Sequence, residues 1–296
     1  MSGQQTSDML APPVPEFRPG TSDAEIEAAA ARAERKRRLT VRFWQVLLLV
    51  VLLGGWEVLA RAKIIDVFFF SSPSAIAERL VQWITQGADG TPLWFHVWVT
   101  IEEALLGFFS GFILGILAGV ALGRNRMASD VLTIYIKVFN SVPRVVLAPI
   151  FILLFGLGLT SKVALSFVMV FFIVFSNAFQ GVREADRALI ANARILGASK
   201  WQLTRSVIVP SAMSWIFASL HVSFGFAIVG AIVGEFVGAR HGIGVLIQIA
   251  GGAFDTAGMY AAIVIIMVVA LVAEYAVTIL ENRLAKWRPV PLPDTQ

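Results

Sequence analysis

No cysteine occurs among the 296 residues, which excludes disulfides and thiolate metal sites. Charge is scarce as well. Only 15% of residues are Asp, Glu, Lys or Arg, against 57% hydrophobic residues and a mean hydropathy of +0.76, too apolar for a soluble domain. Histidine is limited to His96, His221 and His241, which form no metal-ligand spacing and read as interfacial or packing residues. There is no G-x-x-x-x-G-K-[ST] stretch, so the chain does not bind ATP by that route. Nor is there a nucleophile–base pair or metal set to support a membrane enzyme. The formal net charge of +4 is no nucleic-acid signature, because the basic residues flank apolar segments rather than forming one face.

What the chain does have is apolar runs of the length a helix needs to cross about 30 Å of hydrocarbon. Six spans are expected: 43–60, 100–123, 131–155, 163–179, 211–237 and 259–280. The organisation read from composition is a cytoplasmic tail over 1–40, disordered to about residue 22 and then a charged helix to Arg38, followed by a membrane domain over 41–282 and a short tail over 283–296. The run Arg35-Lys36-Arg37-Arg38, with Arg42, abuts the first span and places the N-terminus in the cytoplasm, as an uncleaved anchor. With six spans, Arg32, Arg35, Lys36, Arg37, Arg38, Arg42, Arg124, Arg126, Arg183, Arg187, Arg194, Lys200, Arg205, Arg283, Lys286 and Arg288 share the cytoplasmic side, as do both termini. Only Arg61, Lys63, Arg79, Lys162 and Arg240 fall outside. That asymmetry selects this topology over its inverse. The second span carries Gly107, Gly111, Gly115, Gly119 and Gly123, one every fourth residue, a face bare of side chains against which another backbone can lie closely.

The longest polar interval between apolar segments is 183–210. Glu184 to Leu196 reads as a helix, Gly197 as the residue past its end, and Ser199 with Gln202 as a capping box opening a second helix. That helix runs through Pro210 into the fifth span. The result is a stiff knob held between two membrane helices, able to transmit force to a partner.

These residues carry a resemblance. The permease subunits of binding-protein-dependent ABC importers have a cytoplasmic loop reading Glu-Ala-Ala, three residues, Gly, nine residues, Ile-x-Leu-Pro. Here Gly197, nine residues and Val207-Ile208-Val209-Pro210 stand in that register, with Ala191-Asn192-Ala193 at the Glu-Ala-Ala positions. The glycine, the last alanine and the proline match; Ala191 stands where the family has glutamate. Phe70-Ser71-Ser72-Pro73-Ser74 is similar to a Pro-Ser-Pro-Ser turn of the nitrate, sulfonate and taurine branch. So is the series Val142-Pro143-Arg144, Leu147-Ala148-Pro149 and Phe155-Gly156-Leu157-Gly158. The resemblance implies an all-α membrane protein of about six spans with the type I (MetI-like) importer architecture, in a bacterial inner membrane. It implies a transporter subunit that binds no cofactor, with ATP held on a separate ATPase present in two copies, and an external solute-binding protein as a further partner. Ala193, Gly197, Ala198, Ser199 and Pro210 become the expected ATPase-coupling residues. Two ATPases need two knobs and this chain has one, so a homodimer is expected.

Polar residues inside the spans are the expected pathway residues: Arg144 foremost, then Asn140, Ser176, Asn177, Ser223 and Glu235. Arg144 can attract an anionic solute, or pair structurally with Glu102, Glu103 or Glu235, or reach the interface. Glu235 lines an outer gate, contacts the external partner or packs a helix end. The competing reading is a proton- or sodium-coupled carrier using Glu57, Glu235 or Glu274. It lacks a visible inverted repeat and has no need of the knob.

Overall fold

The computed structural model describes residues 23–185 and 187–284. The tail expected over 1–22 and the end of the chain from 285, with Lys286 and Arg288, lie outside those residues. The described chain is helical, in the order α1 (Asp23–Arg61), α2 (Val67–Phe70), α3 (Pro73–Gln86), α4 (Leu93–Gly123), α5 (Arg126–Ser141), a 3-10 turn (Arg144–Leu147), α6 (Ala148–Phe155), α7 (Leu159–Arg183), α8 (Arg187–Ile195), α9 (Lys200–Leu203), a π turn (Thr204–Ile208), α10 (Val209–Gly238), α11 (Ile243–Gly252) and α12 (Thr256–Leu284). Among the described residues five helices are long and apolar enough to cross a membrane, or six where the bent pair α5–α6 counts as one broken span.

The chain divides into two compact units, 1–74 and 75–296. In the first, the charged segment and the first span are one continuous helix rather than two elements. No proline or glycine interrupts α1 between Asp23 and Leu53. At 1.5 Å per residue its 39 residues reach roughly 58 Å, about twice the hydrocarbon thickness. Near its end, Glu57 accepts from Arg61 Nε at 2.7 Å, Ser74 N at 3.0 Å and Ser74 Oγ at 2.9 Å. Ser71 has φ 55°, which proline's ring forbids. The departure from the Pro-Ser-Pro-Ser pattern therefore goes with a local backbone path that the family residue cannot follow.

The second unit is built on α7, which lies between α4 and α10. Its mates explain themselves from the sequence. The glycine face of α4 meets α7: a Cβ on Gly111 would lie 2.8 Å from the Phe167 carbonyl oxygen and 2.9 Å from Val170 Cβ, and one on Gly119 2.8 Å from Ala178 Cβ. On the other side of α7, Ser166 Oγ donates to the Ala227 carbonyl at 2.9 Å and lies against Gly230. Such closeness lets dispersion and short polar contacts hold helices together where lipid removes the hydrophobic drive. Phe108, Val170, Val174, Leu220, Ile228 and Val277 close the core between α4, α7, α10 and α12.

The expected third span is not one straight rod. α5 stops at Ser141, α6 resumes after the 3-10 turn, and the two diverge by 80°. Pro143 drives Val142 to extended backbone, φ −76° and ψ 123°, which ends α5. Pro149 breaks nothing, because it sits in the first turn of α6, where its missing N–H costs no bond. Pro210 is accommodated differently. The helix widens to a π turn over Thr204–Ile208 just before it, with Val209 N–H reaching back to the Thr204 carbonyl. The rod then continues unbroken from Trp201 to Gly238. α11, between the fifth and sixth spans, has no counterpart in the sequence reading.

Candidate coupling loop and membrane-embedded polar sites

The knob forms as expected at its centre and differs at its start. α7 continues to Arg183, so the first knob helix is α8, Arg187–Ile195, not a helix from Glu184 to Leu196. Glu184 instead caps α7, its N–H bonded to the Gln180 carbonyl and its carboxylate to the Gln180 amide. Gly197 has φ +79°. The Ala198 N–H reaches the Ala193 carbonyl and the Gly197 N–H the Arg194 carbonyl, both at 3.0 Å, the paired 6→1 and 5→2 bonds of a Schellman ending. The capping box closes next: Ser199 N–H donates to Gln202 Oε1 at 2.9 Å, and Gln202 N–H to Ser199 Oγ at 3.3 Å. Ala193 and Ala198 thus build one rigid corner through their backbone, and Ser199 through both its N–H and its hydroxyl. Outside that corner stand Ile195 and Leu196, 83% and 86% exposed, and Trp201, 67% exposed. These three apolar side chains, absent from the residues expected to couple, are left uncovered by the described residues. Their signal in sequence was an apolar triplet in a polar interval.

Of the expected pathway residues, the structure brings three together at the break between α5 and α6. Arg144 Nη2 donates to Asn140 Oδ1 at 2.6 Å, and Asn140 Nδ2 donates to Ser176 Oγ of α7 at 3.1 Å. The guanidinium lies over the Phe172 ring, 5.3 Å from its centre, a cation–π contact. It pairs with none of Glu102, Glu103 or Glu235, and its buried Nε has no hydrogen-bond partner. Asn177 and Ser223 stand apart: each bonds back to its own helix, Asn177 to the Ile173 carbonyl and Ser223 to the Leu220 carbonyl. Glu274 and His221, from α12 and α10, face each other at 2.6 Å, with Glu281 on the other ring nitrogen at 2.7 Å.

Glu235 belongs to a different cluster, at the end of the bundle opposite the knob. It is 0% exposed. Thr100 Oγ1 donates to its Oε1 at 2.6 Å and the Gly244 N–H to its Oε2 at 2.7 Å. Thr100 Oγ1 in turn accepts from the Ile243 N–H, and the His96 ring bridges to Gly242. One carboxylate thereby fastens the start of α11 to α4 and α10. Beside it lie Lys162, 1% exposed, and Glu103, 3% exposed. The Lys162 ammonium bonds the Leu157 and Gly158 carbonyls at the α6–α7 corner. Lys162, counted from the sequence only among the basic residues outside the spans, is a buried group of α7. Thr100 and Glu103 were legible only as polar positions inside an apolar run. Glu235→Ala should be destabilising, since it leaves the buried Gly244 N–H without an acceptor, at about 1–3 kcal/mol, and the Thr100 hydroxyl with only its longer 3.2 Å bond to the His96 carbonyl. Glu235→Gln, which keeps an acceptor, should lose less; a thermal-unfolding comparison of the two variants in detergent checks the order.

Comparison with known proteins fits this architecture. Residues 111–286 match the family described as "Binding-protein-dependent transport system inner membrane component". The chain is 34% identical over 239 residues to the riboflavin transport system permease protein of Chloroflexus aurantiacus, covering 81% of this chain and 88% of that one. It is 30% identical over 240 residues to the taurine transport system permease protein of Escherichia coli, covering 81% and 87%. The formylaminopyrimidine transport permease protein of Halalkalibacterium halodurans is 29% identical over 242 residues, with 82% and 94% covered. Among solved structures, a chain of the inward-facing MetNI methionine ABC transporter superposes with a TM-score of 0.57 at 20% identity, over 64% of this chain and 96% of that one, and so shares the fold. By the extent of these matches the chain belongs to the binding-protein-dependent inner membrane components: it is the permease subunit of an ABC importer, a transporter part whose ATPase is a separate subunit.

Proposed function

We propose that this permease conducts a small anionic solute and takes its power stroke through residues 183–210. In this reading the knob faces the cytoplasm with both termini. Ile195, Leu196 and Trp201 enter a groove on an ATPase that carries the ATP. Two copies of the chain, related by a two-fold axis, pair with two ATPases, and an external solute-binding protein delivers solute to the opposite end.

The observation that carries the coupling role is the corner at Gly197–Ser199. It is fixed by four backbone and capping hydrogen bonds, yet its outer side chains are the most exposed apolar groups of the knob. A rigid element that leaves apolar surface uncovered fits a partner-docking role. Support for an anionic solute comes from Arg144. It stands at the sharp 80° break between the apolar helices α5 and α6, with an uncommitted guanidinium donor. One relative is described as transporting taurine, whose sulfonate is such an anion, and another riboflavin, so Arg144 rather than kinship bears the weight. An ion-coupled carrier is not favoured, because the family is that of ABC importers and the carboxylates it would use are held in local contacts.

Mild-detergent extraction should yield the chain with an ATPase in about equal copy number. Arg144→Ala should reduce uptake of an anionic solute by roughly tenfold, the worth of one charge-assisted hydrogen bond, and that of a neutral analogue far less. Equal losses for the two solutes would leave Arg144 a structural role only.

A further inference from the structure

An apolar cleft of about 500 Å³ lies along the bundle, away from the knob and from Arg144. Its walls are α4, from Val97 to Phe109, and α12, from Val268 to Val277; its floor is α10, from Leu220 to Ile228. Thr100 is the one polar residue lining it, and that hydroxyl is engaged, donating to Glu235 and accepting from the Ile243 N–H. The cleft therefore makes no polar demand on what fills it. Its dimensions narrow the occupant. Along α4 it runs roughly 18 Å, a little more than the ~15 Å of one hydrocarbon leaflet. A helix only 10 Å across lying over that length would need roughly 1,400 Å³, nearly three times the space. The end away from the knob adds a separate observation. Val97 also lines a second cleft, of about 580 Å³, formed by the end of α3, the turn after it and the first turn of α4. This mouth is polar, with Thr85, Gln86 and Thr91, and none of its lining residues is charged. Trp94 and Trp98 bracket Val97 on α4, 68% and 55% exposed, and indole rings settle at headgroup level.

We infer that the two joined clefts bind one phospholipid with a net-neutral headgroup, drawn from the leaflet on the side away from the knob. Neutral polar mouth, tryptophan pair and dry slot one leaflet deep follow one another in the order of a lipid's own parts. An acyl chain occupies the slot between α4 and α12, and the headgroup meets the Gln86 amide and the Thr91 hydroxyl. A lipid tail gains nothing from apolar contact alone when it leaves the bilayer. Its residence comes from close fit in the slot and from hydrogen bonds at the mouth. Seated there, the lipid fills the gap between α4 and α12 and covers α10, the helix that continues unbroken from Trp201 in the knob.

The test strips the purified permease–ATPase complex of lipid in detergent, supplies phosphatidylcholine, and counts what stays bound by native mass spectrometry after dilution into lipid-free detergent. One phosphatidylcholine per permease chain should remain. Val97→Trp and Ala276→Trp narrow the slot from opposite walls, and each should lower retention about tenfold or more. Leu271→Trp lies on α12 outside the slot, at a position 64% exposed, and should retain lipid like wild type. Gln86→Leu combined with Thr91→Val removes donors at the mouth and should lower retention several-fold. Anionic phosphatidylglycerol should bind no better than phosphatidylcholine, because the mouth offers it no cation. If one tryptophan variant does not assemble, the other and the mouth pair decide. No retained lipid in wild type, or retention unchanged in both tryptophan variants, overturns the inference. So does a strong preference for phosphatidylglycerol, which would move the site to a basic surface. Ala276→Cys in this cysteine-free chain tests the rival occupant: a disulfide-linked pair of permease chains would mean that a second copy covers the slot, and would overturn the inference as well.

Discussion

Gly111→Leu is expected to abolish the assembled bundle. At this position α4 and α7 approach so closely that even a methyl group meets the Phe167 carbonyl at 2.8 Å and Val170 Cβ at 2.9 Å. One of those atoms is backbone in the middle of α7, which cannot swing aside without moving the whole helix. Overpacking a soluble core costs typically 1–3 kcal/mol per site because neighbours can repack. Here four carbons would have to enter a seam that continues through Gly107, Gly115 and Gly119, each with its own sub-3.1 Å approach to α7. The two helices would separate along their length. The loss cannot be recovered by burying apolar surface elsewhere, because lipid covers an exposed leucine as well as protein does. The variant should insert but fail to yield a monodisperse complex in detergent, and uptake should fall to background. Gly54→Leu is the control. It lies on α1 with nothing within 4 Å of its Cβ position, and it should be tolerated. A Gly111→Leu protein that purifies and transports like wild type would mean that the α4–α7 seam does not hold the bundle.

That seam was legible in the sequence because a four-residue glycine period on an apolar helix has one physical use. The same holds for the corner at Gly197–Ser199, where glycine, serine and glutamine at fixed offsets specify backbone hydrogen bonds directly. Apolar length located the spans, but their true ends depend on what lies beyond the apolar run. α4 begins at Leu93 rather than Thr100 because Trp94, His96 and Thr100 continue the helix into the polar end. The bend at Pro143 was visible as a proline, but its 80° needed three dimensions, since Pro149 six residues later does nothing comparable. What the sequence could not disclose is the company kept by charged residues. Lys162 stands just before the expected fourth span and reads only as a cation outside it. Only the meeting of α4, the α6–α7 corner and α10 buries it beside Glu103 and Glu235. Arg144 posed the same problem in reverse: three acids were plausible mates, and its actual neighbours are an amide one turn back and an aromatic ring. Where partners lie far apart in the chain, as Thr100 and Glu235 do at 135 positions, no local periodicity is left to read.

Gly197→Val should uncouple the transporter without unfolding it. No atom lies within 4 Å of the position a Cβ would take, so the side chain collides with nothing. The effect comes from the backbone alone. At φ +79° a β-branched residue is strained, by about 1–2 kcal/mol or more, and the cheapest relief is to abandon the left-handed turn. The Ala198–Ala193 and Gly197–Arg194 bonds then break, and α8 no longer meets α9 at a fixed angle. The membrane helices do not depend on that corner, since α7 and α10 are joined by their own contacts along Ser166, Ala227, Gly181 and Ala212. Insertion, yield and thermal stability should therefore stay near wild type while uptake falls by roughly tenfold or more, as each 1.4 kcal/mol lost from the docking geometry is tenfold in its population. Gly197→Asn sharpens the argument, because asparagine tolerates the left-handed region far better than valine and should keep most of the uptake. Leu196→Asp attacks the other half of the proposition. It leaves the corner intact but puts charge on the 86% exposed apolar tip, so the ATPase should no longer co-purify. If valine at 197 and aspartate at 196 both left uptake and ATPase retention unchanged, residues 183–210 would be a well-ordered loop with no part in driving transport.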